Sequence, residues 1–245
     1  SVGMFALAVW DRLERQLYLG RDRIGEKPLY YGWVGGAFVF ASELKALKCL
    51  PEFANPVDRN VLALYLRHCY VPSPYSIYEN IFKLEPGCLL TITDQAIKNP
   101  PSAIPKAPLS ENGFILDRWW SLESLVSDCR QNQITDERTA IEMLETGLIE
   151  SIKLQSIADV PLGAFLSGGI DSSSIVSLMQ QHSSRPVKTF TIGFEEDGYN
   201  EAVYAKDIAK HLGTEHIELY MSSSDALSII ADLPQIYDEP FADSS

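Results

Sequence analysis

The residues best suited to chemistry lie in one run, Phe165-Leu166-Ser167-Gly168-Gly169-Ile170-Asp171-Ser172-Ser173. It follows a short apolar stretch that reads as a strand, Leu162 to Leu166, and opens one that reads as a helix, Ser172 to His182. Two adjacent glycines let the backbone turn tightly and come close to a ligand. Amides at the start of a helix, backed by the helix dipole, make an anion site. Ser167, Ser172 and Ser173 add hydroxyls. Asp171 beside a phosphate is repelled unless a cation mediates, and Mg2+, a hard ion that takes oxygen from carboxylate and phosphate together, is the natural choice. The loop lacks the Lys of a Walker A motif. The competing reading is a plain glycine turn capped by Asp or Ser; the strand–loop–helix context favours the phosphate site.

Two further segments are open to two readings each. Phe190 to Phe194 ends the next strand, and ligands bind beyond the C-terminal ends of parallel strands. Ile192 then either lies against an adenine or is an ordinary core residue. The segment Tyr237 to Ser245 is acidic, and Asp238 and Glu239 within it either bind metal or substrate or belong to a solvated loop.

The elements that must position these residues change character along the chain. In the first part Phe5–Trp10, Gln16–Gly20, Leu29–Trp33, Ala37–Ala41 and Leu89–Ile92 read as strands separated by Asp and Gly turns. Helices are expected at Ser42–Lys48, with Ser42 as N-cap, and at Asp58–Arg67, where Val61, Leu62, Leu64 and Tyr65 form a stripe. Pro100, Pro101, Pro105 and Pro108 then interrupt the pattern, so residues 95–135 read as a linker between a domain at 1–94 and another at 136–245. After the linker, helices and strands alternate. Helix 136–155 carries Ile141, Leu144, Leu148 and Ile152; strands fall at 162–166, 188–194 and 214–219, and helices at 172–182, 201–212 and 224–231. The fold class expected is therefore two domains, a β-rich α+β layer followed by an α/β domain with a parallel sheet.

A net charge of −13 without a cluster of Lys and Arg excludes nucleic acid as the main partner. It does not exclude ATP, which is held by local geometry and a metal ion. Cys49, Cys69, Cys88 and Cys129 are scattered, with no spacing for zinc, and suit a reducing compartment. His68, His182, His211 and His216 have no partner pattern. No apolar run approaches the roughly 20 residues of a membrane span, and there is no signal-peptide pattern. The chain opens on SVGMFALAVW and closes on FADSS, so it reads as an interior piece of a longer protein.

The Ser-Gly-Gly-x-Asp-Ser pattern resembles the loop of the ATP-pyrophosphatases, which grip the β and γ phosphates and leave the α phosphorus open to attack. Taken with DVPLG before it and TFTIGF, YNEAVYAKDIAKHLGTEH and YDEPFADSS after it, the loop resembles the glutamine-hydrolysing asparagine synthetases. GMFALAVWD, GRDRIGEKPLYY and FASELKAL in the first part resemble the second half of that family's N-terminal-nucleophile (Ntn) glutaminase domain. The likeness covers nearly the whole chain and is weakest between Asp94 and Asn132.

This resemblance implies ATP-dependent amidation of aspartate through a β-aspartyl-AMP intermediate, with ammonia taken from glutamine. It implies that Leu166, Ser167, Gly168, Gly169, Asp171, Ser172, Ser173 and Ile192 contact ATP, pyrophosphate or Mg2+, Asp171 being the metal ligand, and that Glu201 lies in the synthetase site. The implied partners are ATP, aspartate and glutamine in the cytoplasm, with neither nucleic acid nor membrane; a homodimer of the parent protein is compatible with it. The family's nucleophilic Cys, its glutamine-binding segments, its SGxGxDE segment and its catalytic Lys would lie outside these residues. No catalytic residue is therefore expected here, and the piece alone is expected to be inactive. Arg21, Asp22, Arg23, Lys27 and Glu43 read as structural. The alternatives are another amide-forming adenylating ligase, of the β-lactam synthetase kind, and a non-catalytic remnant that binds nucleotide.

Overall fold

The computed structural model describes residues 3–194 and 201–242. The chain divides into two compact units, Ser1–Gln131 together with Asp232–Ser245, and Asn132–Ala231.

The first unit carries strands β1 (Ala6–Asp11), β2 (Gln16–Arg21), β3 (Tyr30–Val34) and β4 (Ala37–Ala41), helices α1 (Leu44–Lys48) and α2 (Arg59–His68), strands β5 (Ile81–Lys83) and β6 (Cys88–Thr93), helix α3 (Asp94–Lys98), strands β7 (Leu109–Glu111) and β8 (Phe114–Arg118), and helix α4 (Leu122–Cys129). Two antiparallel sheets result, one in the order β1-β2-β6-β8-β7 and one in the order β4-β3-β5. Alternation builds their shared core: Cys88, Leu90 and Ile92 of β6 point inward with Leu19, Tyr31, Phe114 and Leu116, all fully buried. A second cluster, with Leu44, Leu47, Val61, Val71, Ile77 and Ile81, seats α1 and α2. Of the stripe expected on α2, Val61 is buried, whereas Leu62 is 37% exposed.

Two expectations are corrected here. Residues 95–135 are not a bare linker: they hold α3, α4 and the β7–β8 hairpin, and β8 pairs with β6 from Cys88↔Arg118 to Ile92↔Phe114. The hairpin turns on Asn112 and Gly113, both at positive φ (47° and 80°), the conformation that an Asn-Gly pair supplies for a two-residue turn. Ser42 is not the cap of α1; Glu43 occupies that position and its side chain makes no capping hydrogen bond.

The second unit contains α5 (Glu137–Gln155), β9 (Gly163–Phe165), α6 (Ile170–Gln181), β10 (Lys188–Phe194), α7 (Ala202–Leu212), β11 (Glu215–Met221) and α8 (Ser223–Ile229). Asp136 caps α5 by accepting from the Thr139 amide at 2.8 Å, and Gly213, at φ 71°, ends α7 in the left-handed region. The three strands form a parallel sheet, β11-β10-β9, with α6 linking β9 to β10. Its core is Leu166, Val176, Ala205 and Ala209. Helix α7 buries a stripe of alanines, Ala202, Ala205 and Ala209, which lets it lie close to the strands. The stripe on α5 is less covered than its periodicity suggests, since Ile141 and Leu144 are 57% and 64% exposed. A turn of 3-10 helix (Ile230–Asp232) then leads into α9 (Leu233–Tyr237), which packs with the first unit.

Among the described residues no helix is long and apolar enough to cross a membrane. The whole is a mixture of helices with antiparallel sheets in one unit and a parallel sheet in the other.

Candidate functional site

The loop after β9 is pinned at its start by β10. Leu166 donates its amide to the Phe190 carbonyl at 2.9 Å and is itself 1% exposed. Its carbonyl accepts a hydrogen bond from the Thr191 hydroxyl. Thr189 and Thr191 occupy the inward positions of β10, where a polar side chain needs a partner, so the TFT pattern itself signals a hydrogen-bonded position behind the loop.

Gly168 then turns with φ 86°, a region that favours glycine. A Cβ there would lie 2.8 Å from Tyr204 Cβ and 3.1 Å from the Ala205 amide nitrogen, so the loop rests on the first turn of α7. Hydroxyls knit the loop together. Ser167 Oγ accepts from the Gly169 amide at 3.3 Å and lies 3.0 Å from Ser172 Oγ. Ser172 Oγ accepts from the Ser167 amide at 3.3 Å, and Gly169 O accepts from the Ser172 and Ser173 hydroxyls at 3.2 and 2.7 Å.

Helix α6 starts from Gly169, which has no side chain to cap it. The amides of Ile170, Asp171 and Ser172, in the first turn, therefore have no acceptor within the helix. They present partial positive charge at the end of a helix of 12 residues. Asp171 is exposed in that turn, and no described side chain pairs with it. Among the described residues no group of three or more His, Cys, Asp and Glu converges as a metal site. A cation held by Asp171 would need most of its ligands from a bound phosphate and water, which is how Mg2+ is commonly held.

Of the other residues singled out from the sequence, Ile192 lies near the C-terminal end of β10 and is 45% exposed. Glu201 stands at the N-cap of α7, three residues before Tyr204, and its side chain makes no capping bond. Asp238 and Glu239 are in the first unit, where their carboxylates are turned inward onto Lys45, Lys83, Tyr30 and the Ile77 amide. Asp243 to Ser245 lie outside the described residues.

In the charged run of the first part, Arg21 and Asp22 are engaged with the backbone. The buried Asp22 carboxylate accepts from the amides of Phe5, Ile24, Gly25, Glu26 and Lys27 at 2.7 to 3.3 Å. Burial pushes its pKa up, but these amides outweigh burial and hold it below the ordinary carboxylate range. The Arg21 guanidinium donates to the carbonyls of Lys27, Leu84 and Gly25 at 2.9, 2.6 and 2.7 Å. Both side chains spend their hydrogen-bonding capacity on the backbone.

The two parts of the chain match different family models. Residues 1–102 match the family model of the glutamine amidotransferase domain, and residues 143–245 match that of asparagine synthase. The chain is 34% identical, over 99% of its length, to a Methanocaldococcus jannaschii protein with the provisional name glutamine-hydrolyzing asparagine synthetase 2. It is 31% identical, over 98% of its length, to glutamine-hydrolyzing asparagine synthetase 1 of Bacillus subtilis. Over nearly its whole length the chain is similar to the asparagine synthetase family. It spans 44% of the length of the archaeal relative and 34% of that of the bacterial one. The serine-rich loop falls in the part matched by the asparagine synthase model, and the Asp22 and Arg21 network in the part matched by the amidotransferase model. Residues 232–242 are matched by the synthase model yet pack in the first unit.

Proposed function

We propose that these residues belong to a glutamine-dependent asparagine synthetase, a carbon–nitrogen ligase that amidates aspartate at the expense of ATP. Its second unit would be the beginning of an ATP-pyrophosphatase domain, and its first unit part of an Ntn-type glutaminase. The observation that carries the reading is the start of α6, where an uncapped turn of amides follows a glycine seated against α7. Leu166 to Ser173 would hold the β and γ phosphates, with Ile192, exposed near the end of β10, on the nucleoside side. So held, pyrophosphate becomes the leaving group when an aspartate side-chain oxygen attacks the α phosphorus. The products of that step are the acyl-adenylate and pyrophosphate, and ammonia released from glutamine then displaces AMP to give asparagine.

Asp171 would share Mg2+ with the phosphates, and the ion would supply positive charge against the developing pyrophosphate. The loop hydroxyls orient and the amides bind; the transition-state charge on the leaving group is where such donors matter most. Glu201, at the start of the helix against which Gly168 packs, would belong to the same site. Free, scattered cysteines accord with a cytoplasmic protein.

The acyl substrate is tested with the full-length protein, ATP, Mg2+, aspartate and glutamine labelled with nitrogen-15 in the side-chain amide. Labelled asparagine supports the reading. Glutamine hydrolysis with aspartate left unamidated would favour a related amide-forming ligase with another acyl substrate.

A further inference from the structure

We propose that Glu239 and Lys83 form a positioning latch that ties glutamine hydrolysis to amide formation, an inference that rests on the function proposed above. The stretch that carries Glu239 is claimed by the synthase model, whereas Lys83 and its neighbours are claimed by the amidotransferase model. In the fold both lie within the first unit.

A tight turn sends the two carboxylates inward. Asp238 has φ 64°, and the Glu239 amide donates to the Tyr237 carbonyl at 2.7 Å. The side chains of Asp238 and Glu239 are then 7% and 8% exposed. Glu239 accepts from the Ile77 amide at 2.8 Å and from the Tyr30 hydroxyl at 3.3 Å, and its other partner is the Lys83 ammonium at 2.5 Å. Lys83 also donates to the Val71 carbonyl at 2.5 Å and stands 5.8 Å from the centre of the Tyr30 ring. The Asp238 carboxylate takes the Lys45 amide at 3.2 Å, and the Ala242 amide donates to the Cys69 carbonyl at 2.8 Å.

A segment needing only adhesion would be held by apolar contacts, because burying two charges costs desolvation that their attraction barely offsets. What a largely buried, hydrogen-bonded pair gives is register: one acid fits one amide, one hydroxyl and one ammonium. Slippage by a residue in either direction would leave a buried charge unpaired. Such a contact suits a chain segment whose exact placement matters to the reaction, and it joins the stretches of sequence assigned to the two half-reactions.

The test uses the full-length protein with Glu239→Gln, which keeps an acceptor for Ile77 and removes the charge. Lys83→Met/Glu239→Gln serves as a second variant because it leaves no buried charge unpaired if the single change impairs folding. Three quantities are read: asparagine made with ammonium chloride, glutamate released per asparagine made with glutamine, and hydrogen exchange of residues 232–242. The latch predicts ammonium-dependent synthesis near the wild-type rate, a severalfold rise in glutamate per asparagine, and exchange in that segment faster by about tenfold or more. Faster exchange with an unchanged glutamate-to-asparagine ratio would reduce the pair to a structural anchor and overturn the proposal. Equal loss of both activities in the double variant would overturn it as well. If the wild-type protein makes no asparagine from either nitrogen source, it is the functional reading that fails.

Discussion

The hydroxyls of Ser167 and Ser172 lie 3.0 Å apart, on either side of the two glycines that turn the loop into α6. Each also serves a loop amide, Ser167 that of Gly169 and Ser172 that of Ser167. Removing either hydroxyl releases an amide and loosens the proposed anion site without touching the core. Ser172→Ala should weaken MgATP binding by about tenfold, equivalent to about 1.4 kcal/mol, in a calorimetric titration of the full-length protein. The melting temperature should stay close to that of the wild type.

Gly168→Ala should do more damage. The backbone at φ 86° disfavours any side chain, and the new methyl would meet Tyr204 Cβ and the Ala205 amide nitrogen at 2.8 and 3.1 Å. The left-handed conformation alone costs about 1–2 kcal/mol, and relief of the clash moves the loop away from α7. Nucleotide binding by the same titration should fall well below that of Ser172→Ala.

Asp22 sets a pH dependence of stability. Its folded-state pKa is depressed, so its contribution is fully present above the unfolded value of about 3.9 and is lost as pH falls through the folded value. Asp22→Asn should destabilise the protein at neutral pH by about 3 kcal/mol in urea melts, since an amide cannot accept from all the backbone donors that face it. The gap between variant and wild type should narrow once the pH drops below about 4.

The cysteines report on the fold directly. Cys49, Cys69 and Cys129 are exposed, while Cys88 is buried and burial pushes its thiol up to about 11. A thiol reagent at neutral pH should label the three exposed cysteines in the native protein and reach Cys88 after denaturation. Rapid labelling of Cys88 in the native state would contradict the β6 packing described above.

Much of the second unit was legible in the sequence because its cues are local and agree. Asp136 caps one helix, Gly213 ends another, and the apolar runs at 162–166 and 188–194 flank the loop on which the site depends. The stretch 95–135 was not legible because its cues conflict. Four prolines between 100 and 108 argue for a linker, while the Asn112-Gly113 turn specifies the hairpin that follows. The pairing of β8 with β6 prevails, since Phe114 and Leu116 find a place in a core that no local pattern reveals.

In the candidate site, the glycines and serines could be read from spacing. The seat of Gly168 on Tyr204 and Ala205, and the Thr191 hydroxyl on the Leu166 carbonyl, could not, because they join residues that only the fold brings together. Glu239 shows the reverse difficulty. An acid in an acidic, proline-containing segment looks solvated or ligand-binding, and its inward turn depends on a positive φ at Asp238 that nothing in the residue type demands.

The measurement that bears most directly on the central claim is the fate of ATP. Full-length protein is given ATP labelled in the α and γ phosphates, with Mg2+, aspartate and ammonium chloride, and the products are separated. A loop that holds the β and γ phosphates as one leaving group predicts AMP and pyrophosphate in equal amounts, formed with aspartate present and suppressed in Gly168→Ala. Formation of ADP and inorganic phosphate instead would contradict the assignment of Ser167 to Ser173 as a pyrophosphate grip.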